Sequence, residues 1–140
     1  ENSVKDSGCS YYIIRTSWLF GLNGKNFVET MLRLAQEKAE LRVVNDQHGK
    51  PTFSLDLAKK TKEIIDGSYG PGVYHAVNEP ATTWYDFARA IVGGHKISSC
   101  SSQEFPRPAK RPAYSILLNT KLPPMRPWQE ALAEYLSLRK

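Results

Sequence analysis

Three cations, Arg107, Lys110 and Arg111, fall within five residues of the stretch "RPAKRP". Guanidinium groups grip phosphate oxygens two at a time, so such a cluster can clamp a diphosphate. The prolines around it pre-set the loop and lower the entropy lost on binding. A solvated basic loop is the plain alternative. In "NDQHGKPT", Gln47 and Thr52 flank a glycine turn. The Gln47 amide can hydrogen-bond a base edge or a sugar hydroxyl. Asp46, Gly49 and Pro51 read as turn chemistry, and His48 as a surface histidine. Asn26 stands before "FVETMLRLA" as a helix N-cap. A helix N-terminus suits a diphosphate, and a plain cap accounts for Asn26 equally well. Trp18, in "RTSWLFG", offers a flat apolar wall with one N–H donor. On the residues alone it reads as core.

Positioning these groups requires alternating strands and helices. "YYIIRTSWLF" is aromatic and β-branched with little alternation, which predicts one strand buried on both faces, as in a parallel sheet. Arg15 to Trp18 then lie at the carboxyl end of that strand, where open α/β sheets collect ligands. "NFVETMLRLAQEKAE" has helical spacing, "LRVVND" reads as a strand and "QHGKPT" as a turn. "SLDLAKKTKEIIDG" predicts a helix capped by Ser54 and closed by Gly67, with Leu57, Ile64 and Ile65 inward. Its lysines form a wet face. "GVYHAVN" reads as a strand, and "TTWYDFARAIVGG" as a helix with a Thr cap and a glycine stop. Trp84, Tyr85 and Phe87 read as packing. Residues 95–112 are loop-rich, "AYSILLNTKL" is extended, and "RPWQEALAEYLSLRK" is a closing helix with Pro127 in its first turn and Trp128 as anchor. The class is α/β, without internal repeats.

Composition narrows the function classes. The 140 residues carry a net charge of +5, which favours anionic partners. No zinc-finger, RNA-recognition or helix-turn-helix signature is present, so nucleic acid is a minority reading and the expectation is none. No apolar stretch approaches the roughly 20 residues of a membrane helix, and no membrane partner is expected. Cys9 and Cys100 are isolated, without metal-ligand spacing, and read as free thiols; no metal site is expected. Phosphate-loop, dinucleotide-fingerprint, zinc-protease and nucleophile-elbow motifs are all missing.

Six stretches together resemble the dTDP-4-dehydrorhamnose reductases, which are extended short-chain dehydrogenases. They are "RTSWLFG", "NFVETMLRLA", "VVNDQHGKPT", "GVYHAVN" with "TTWYDFARAI", "PRPAKRPAYSILLNTKL" and "RPWQEALAEYL", in the family's order. The resemblance covers the C-terminal half of such an enzyme. It implies the end of a Rossmann-type nucleotide-binding sheet in residues 1–22 and a substrate-binding portion of short strands and helices in residues 23–140. It implies that Trp18 lines the sugar-nucleotide pocket beside the nicotinamide. Thymine becomes the base edge for Gln47, Asn26 joins the pocket with Arg107, Lys110 and Arg111, and Thr16 and Ser17 meet the cofactor's carboxamide through backbone groups. NADPH is the implied cofactor, with NADH as the alternative, and neither is expected to bind this piece tightly.

The family's catalytic Tyr and Lys lie upstream of the matching stretches, so no catalytic residue is assigned here and the piece alone is expected to be inactive. The implied activity of the whole is reduction of dTDP-4-dehydro-L-rhamnose to dTDP-L-rhamnose, in the cytoplasm, for polysaccharide precursors. The implied partners are the dTDP-sugar, the missing N-terminal half and, through the "YYII" edge left open, a second copy as a homodimer. The competing reading is a non-catalytic binding or regulatory subunit on the same fold.

Overall fold

The computed structural model describes residues 1–106, 108–109 and 111–139. The elements are α1 (Asn2–Lys5), β1 (Tyr12–Arg15), β2 (Leu19–Phe20), α2 (Phe27–Glu37), β3 (Leu41–Val44), β4 (His48–Gly49), β5 (Thr52–Phe53), α3 (Ser54–Asp66), β6 (Gly72–His75), β7 (Thr82–Thr83), α4 (Trp84–Val92), β8 (Ile97–Cys100) and α5 (Trp128–Leu138). A 3-10 turn spans Ser102–Glu104.

Local chemistry sets most helix ends. Asn26 caps α2, its side chain accepting from the Glu29 N–H at 3.1 Å. Thr83 caps α4 in the same way, accepting from the Asp86 N–H at 3.0 Å. Gly93 stops α4 with a φ of 59°, a conformation that favours glycine. Gly67 closes α3 through its N–H to the Glu63 carbonyl. The start of α3 differs from expectation. Ser54 is its first helical residue, and Phe53 holds the cap position without a side-chain bond. Phe53 is fully buried and its N–H donates to Asn78 Oδ1 at 2.9 Å, so tertiary packing supplies what a cap would.

The strands form four two-stranded ribbons. β1 with β6, β2 with β5 and β3 with β8 are parallel, and β4 with β7 is antiparallel. The class is α/β, with four corrections. "YYIIRTSWLF" makes two strands, because Trp18 takes a φ of 45° and turns the chain out of the extended state. Among the described residues β1 has one neighbour, and it is half-exposed, with Tyr12 at 40 %. "QHGKPT" contributes β4 and β5, and the loop-rich segment contains β8, whose polar "ISSC" is recruited by pairing with Leu41–Val44. "AYSILLNTKL" joins no ladder beyond a single bridge from Tyr114 to His48.

The main core packs α2, α4 and α5 around β2 and β5. Phe20 stacks on Phe53 with centroids 5.4 Å apart, and Tyr135 meets both edge-on. Trp128 is buried, edge-on to Phe87, and anchors α5. A second cluster joins Ile64, Tyr74 and Leu122 beneath β1 and β6. On α3, Ile64 is buried but Ile65 is 63 % exposed, because one residue turns a helix by about 100°. A polar network links the two clusters. Asp56, buried, accepts two bonds from Arg126 at 2.8 Å and one from Asn78 at 2.9 Å. Both cysteines are free, and burial pushes the Cys100 thiol pKa up.

Candidate functional site

Two residues of β4 gather the site. A Cβ on Gly49 would fall 2.3 Å from the Trp18 ring, so glycine is required for the indole to lie flat on this strand. The other face of Trp18 stacks on Trp84, centroids 3.6 Å apart and planes 12° apart. Trp84 is delivered there because β7, which pairs with β4, runs straight into the first residue of α4. Phe27, first residue of α2, leans on Trp84 at 4.5 Å.

His48 holds the opposite edge. Its N–H donates to the Ala113 carbonyl at 2.7 Å, and its own carbonyl accepts from the Ser115 N–H at 2.9 Å and the Ser115 hydroxyl at 3.1 Å. Its ring stacks on Tyr114 at 4.8 Å. His48 is therefore a half-buried fastener for the segment that follows Arg111, rather than a surface histidine.

Two adjoining concavities result. The smaller, about 240 Å³, is bounded by Trp18, Gln47, Trp84, Arg111, Pro112 and Ser115. The larger, about 450 Å³, shares Gln47, Trp84 and Arg111 and adds Phe27, Arg42 and Phe105 among its walls. Aromatic surface with two guanidinium groups suits a flat, partly apolar anion.

Trp18, Gln47 and Arg111 are thus brought together. Arg107 and Lys110 lie outside the described residues. Asn26 is apart from both concavities, and its side chain is engaged as a cap and by donating to the Gly21 carbonyl at 2.9 Å. The Ser17 hydroxyl donates to the Lys50 carbonyl at 2.8 Å. Thr16 Oγ1 is buried without a partner among the described residues. Trp84, Phe27, Arg42 and Phe105 were missed as site residues. Helical spacing pairs Trp84 with the buried Phe87, and that spacing conceals that Trp84 is half-exposed and faces Trp18.

Hydrogen bonds tie β3 to the turn that follows β8. Asp46 accepts from the Ser102 hydroxyl at 2.6 Å and the Ser102 N–H at 2.8 Å. Those two bonds, the hydroxyl's first, hold its carboxyl below the ordinary range. Gln47 Nε2 donates to the same hydroxyl at 2.8 Å. Arg42 pairs with Glu104 and sits 6.0 Å from the Phe105 ring centre. The Ser101 N–H and then Arg42 hold Glu104 below the ordinary range.

A family model described as the RmlD substrate binding domain matches residues 1–139. The chain belongs to that family. Among curated relatives of this RmlD-type chain, the spore coat polysaccharide biosynthesis protein SpsK of Bacillus subtilis is 46% identical, over 91% of this chain and 47% of its own length. The dTDP-4-dehydrorhamnose reductase of Mycolicibacterium smegmatis is 40% identical, over 96% and 44%. The chain spans about half the length of the curated relatives it matches. Among solved structures, a dTDP-4-dehydrorhamnose reductase from Clostridium acetobutylicum superposes with a TM-score of 0.91 at 44% identity, covering 98% of this chain and 51% of the other. The Bacillus anthracis reductase in complex with NADP gives 0.89 at 36%, covering 97% and 51%. Among the described residues, no helix is long and apolar enough to cross a membrane.

Proposed function

We propose that this chain is the substrate-binding, C-terminal half of an NADPH-dependent reductase acting on the 4-keto group of dTDP-4-dehydro-L-rhamnose. The observation that carries the reading is Trp18. A tryptophan with a φ of 45° costs on the order of 1–3 kcal/mol, and such strain gathers at functional sites. Here it lays a half-exposed indole between Gly49 and Trp84, next to Arg111 and Gln47. In this reading the free edge of the indole borders the deoxysugar, and Arg111, with Arg107 and Lys110, neutralises the diphosphate. Gln47 meets the thymine or the sugar. Asn26 contributes through the α2 N-terminus it caps.

Thr16 and Ser17 face the cofactor. The buried Thr16 hydroxyl, unpartnered among the described residues at the carboxyl end of β1, fits an amide-bearing group. The hydride is supplied by NADPH, or by NADH as the alternative. The proton donor Tyr and its Lys belong to the rest of the enzyme, so this chain alone is inactive. Residues 1–22, joined by β6, extend the nucleotide-binding sheet, and residues 23–140 form the substrate-binding portion. The bare edge of β1 is covered by the N-terminal half or by a second copy. The reading places the enzyme in the cytoplasm, in polysaccharide precursor synthesis.

The test extends the chain upstream to its relatives' length and follows NADPH absorbance with dTDP-4-dehydro-L-rhamnose. Losing an indole contact removes about 2–3 kcal/mol, so Trp18→Ala lowers kcat/KM by roughly 30- to 150-fold. Turnover indifferent to Trp18→Ala removes the tryptophan from the pocket. A folded, extended protein that turns nothing over but binds dTDP supports the non-catalytic subunit instead.

A further inference from the structure

Asp46 and Gln47 leave β3 side by side and share one hydroxyl, that of Ser102. Three hydrogen bonds meet there: Ser102 Oγ to Asp46 Oδ1 at 2.6 Å, the Ser102 N–H to Asp46 Oδ2 at 2.8 Å, and Gln47 Nε2 to Ser102 Oγ at 2.8 Å. The chemistry of the three groups admits one proton arrangement. An ionised carboxylate only accepts, so the hydroxyl proton goes to Asp46. The Ser102 oxygen is left with lone pairs, and the group Gln47 turns to it must donate. With the amide reversed, Gln47 Oε1 would face those lone pairs, a repulsive contact in a half-buried place. Gln47 therefore keeps its NH2 on Ser102 and has its carbonyl oxygen left for the concavities that it lines.

We infer that Asp46 and Ser102 are positioning residues that hold Gln47 as a fixed hydrogen-bond acceptor, so that the ligand must bring an N–H or O–H donor to it. This rests on the sugar-nucleotide reading above and deepens it. Two parts of such a ligand carry the donor: the imide N3–H of thymine and a sugar hydroxyl. The aromatic wall of Trp84, Phe27 and Phe105 in the larger concavity favours the base. Cytosine presents an acceptor at N3 and would be refused there. A site built to hydrogen-bond one partner discriminates strongly, because the wrong partner leaves a polar group unsatisfied.

Asp46→Asn tests the arrangement with almost no change of shape. The new amide can donate to the Ser102 oxygen, which frees the hydroxyl proton for Gln47 Oε1 and turns the Gln47 NH2 towards the ligand. Binding of dTDP, dCDP and dTDP-L-rhamnose is measured by calorimetry on the chain extended to its relatives' length. The wild type is expected to prefer dTDP over dCDP by at least about tenfold, one lost hydrogen bond in a partly desolvated site. In Asp46→Asn that preference shrinks about tenfold or reverses, and Ser102→Ala, which frees the amide to rotate, also shrinks it. If the hydroxyl is the donor, the dTDP-to-dCDP ratio holds, while the affinity gained from the rhamnose falls in both variants. Neither quantity changing in either variant overturns the inference.

A second readout separates the two failures. The Gln47 side-chain amide protons are followed by 1H–15N NMR, where the hydrogen-bonded proton is expected downfield in the wild type and shifted upfield in Ser102→Ala. If no nucleotide binds but that shift is seen, the sugar-nucleotide reading falls and the orientation of Gln47 stands. If nucleotides bind and no shift is seen, the inference falls and the reading stands.

Discussion

The ribbons β3–β8 and β1–β6 are both parallel and each four residues long, yet they are covered in opposite ways. Leu41, Val43 and Cys100 are buried and α4 packs against both strands, although β8 reads as polar loop. β1 is the more apolar strand and is half-exposed, with Tyr12 open and only Tyr74 of β6 buried. Parallel strands are normally covered on both faces. Strand propensity therefore did not decide burial in either ribbon. The available packing partners did. The half of the molecule that builds the candidate site packs its ribbons into the main core and is the closed half, whereas β1 and β6 stay half-exposed, with the outer edge of β1 unpaired among the described residues and Val4 and Ile65 exposed.

The sharpest way to break this comparison is to empty the closed half. Phe53→Ala removes a fully buried ring beneath the site and is expected to cost about 3–5 kcal/mol, read from urea unfolding. A loss under about 1 kcal/mol would mean that the closed half is not the stable one. Next is Gly49→Ala. Its methyl must displace the Trp18 indole, an overpacking cost of about 1–3 kcal/mol, with red-shifted tryptophan emission and lost dTDP binding. The far-UV signal and the β1–β6 half should stay as they were.

Acid probes the tie between Asp46 and Ser102. The folded carboxyl pKa lies below its unfolded value of about 4. Its stabilisation is fully present above that value and is lost as pH falls through the lower, folded one. Site fluorescence should therefore change below pH 4 before global unfolding, and Asp46→Asn should abolish that early step. The smallest effect is reserved for the bare edge. Tyr12→Lys gives up the hydroxyl's bond to the Tyr69 carbonyl and the stack on Tyr74, and should cost the isolated chain about 1 kcal/mol or less. Any self-association measured by sedimentation should fall with it. A loss above about 3 kcal/mol would show that β1 is covered after all.

Asn26, Thr83, Gly67 and Gly93 could be read directly, because caps and stops depend on hydrogen bonds within a few residues of the chain. The helical stripes of α2, α4 and α5 were equally legible, since a 3.6-residue period is a property of the sequence itself. Gln47 and Arg111 were named from their residue types and Trp18 from the resemblance, but no local rule brings the three together. β4 and β8 were not legible: each is a strand only because a partner distant in sequence offers its backbone groups. The same reason hid Trp84. Its type was known from the sequence, but its role depends on β7 pairing with β4, and on a glycine that lets Trp18 lie between them. The sequence by itself determined helices α2 to α5, most of their ends and the residue types available for binding. Only the tertiary structure decided which strands exist and which side chains meet, because those outcomes are set by long-range pairing and by what remains to cover each apolar face.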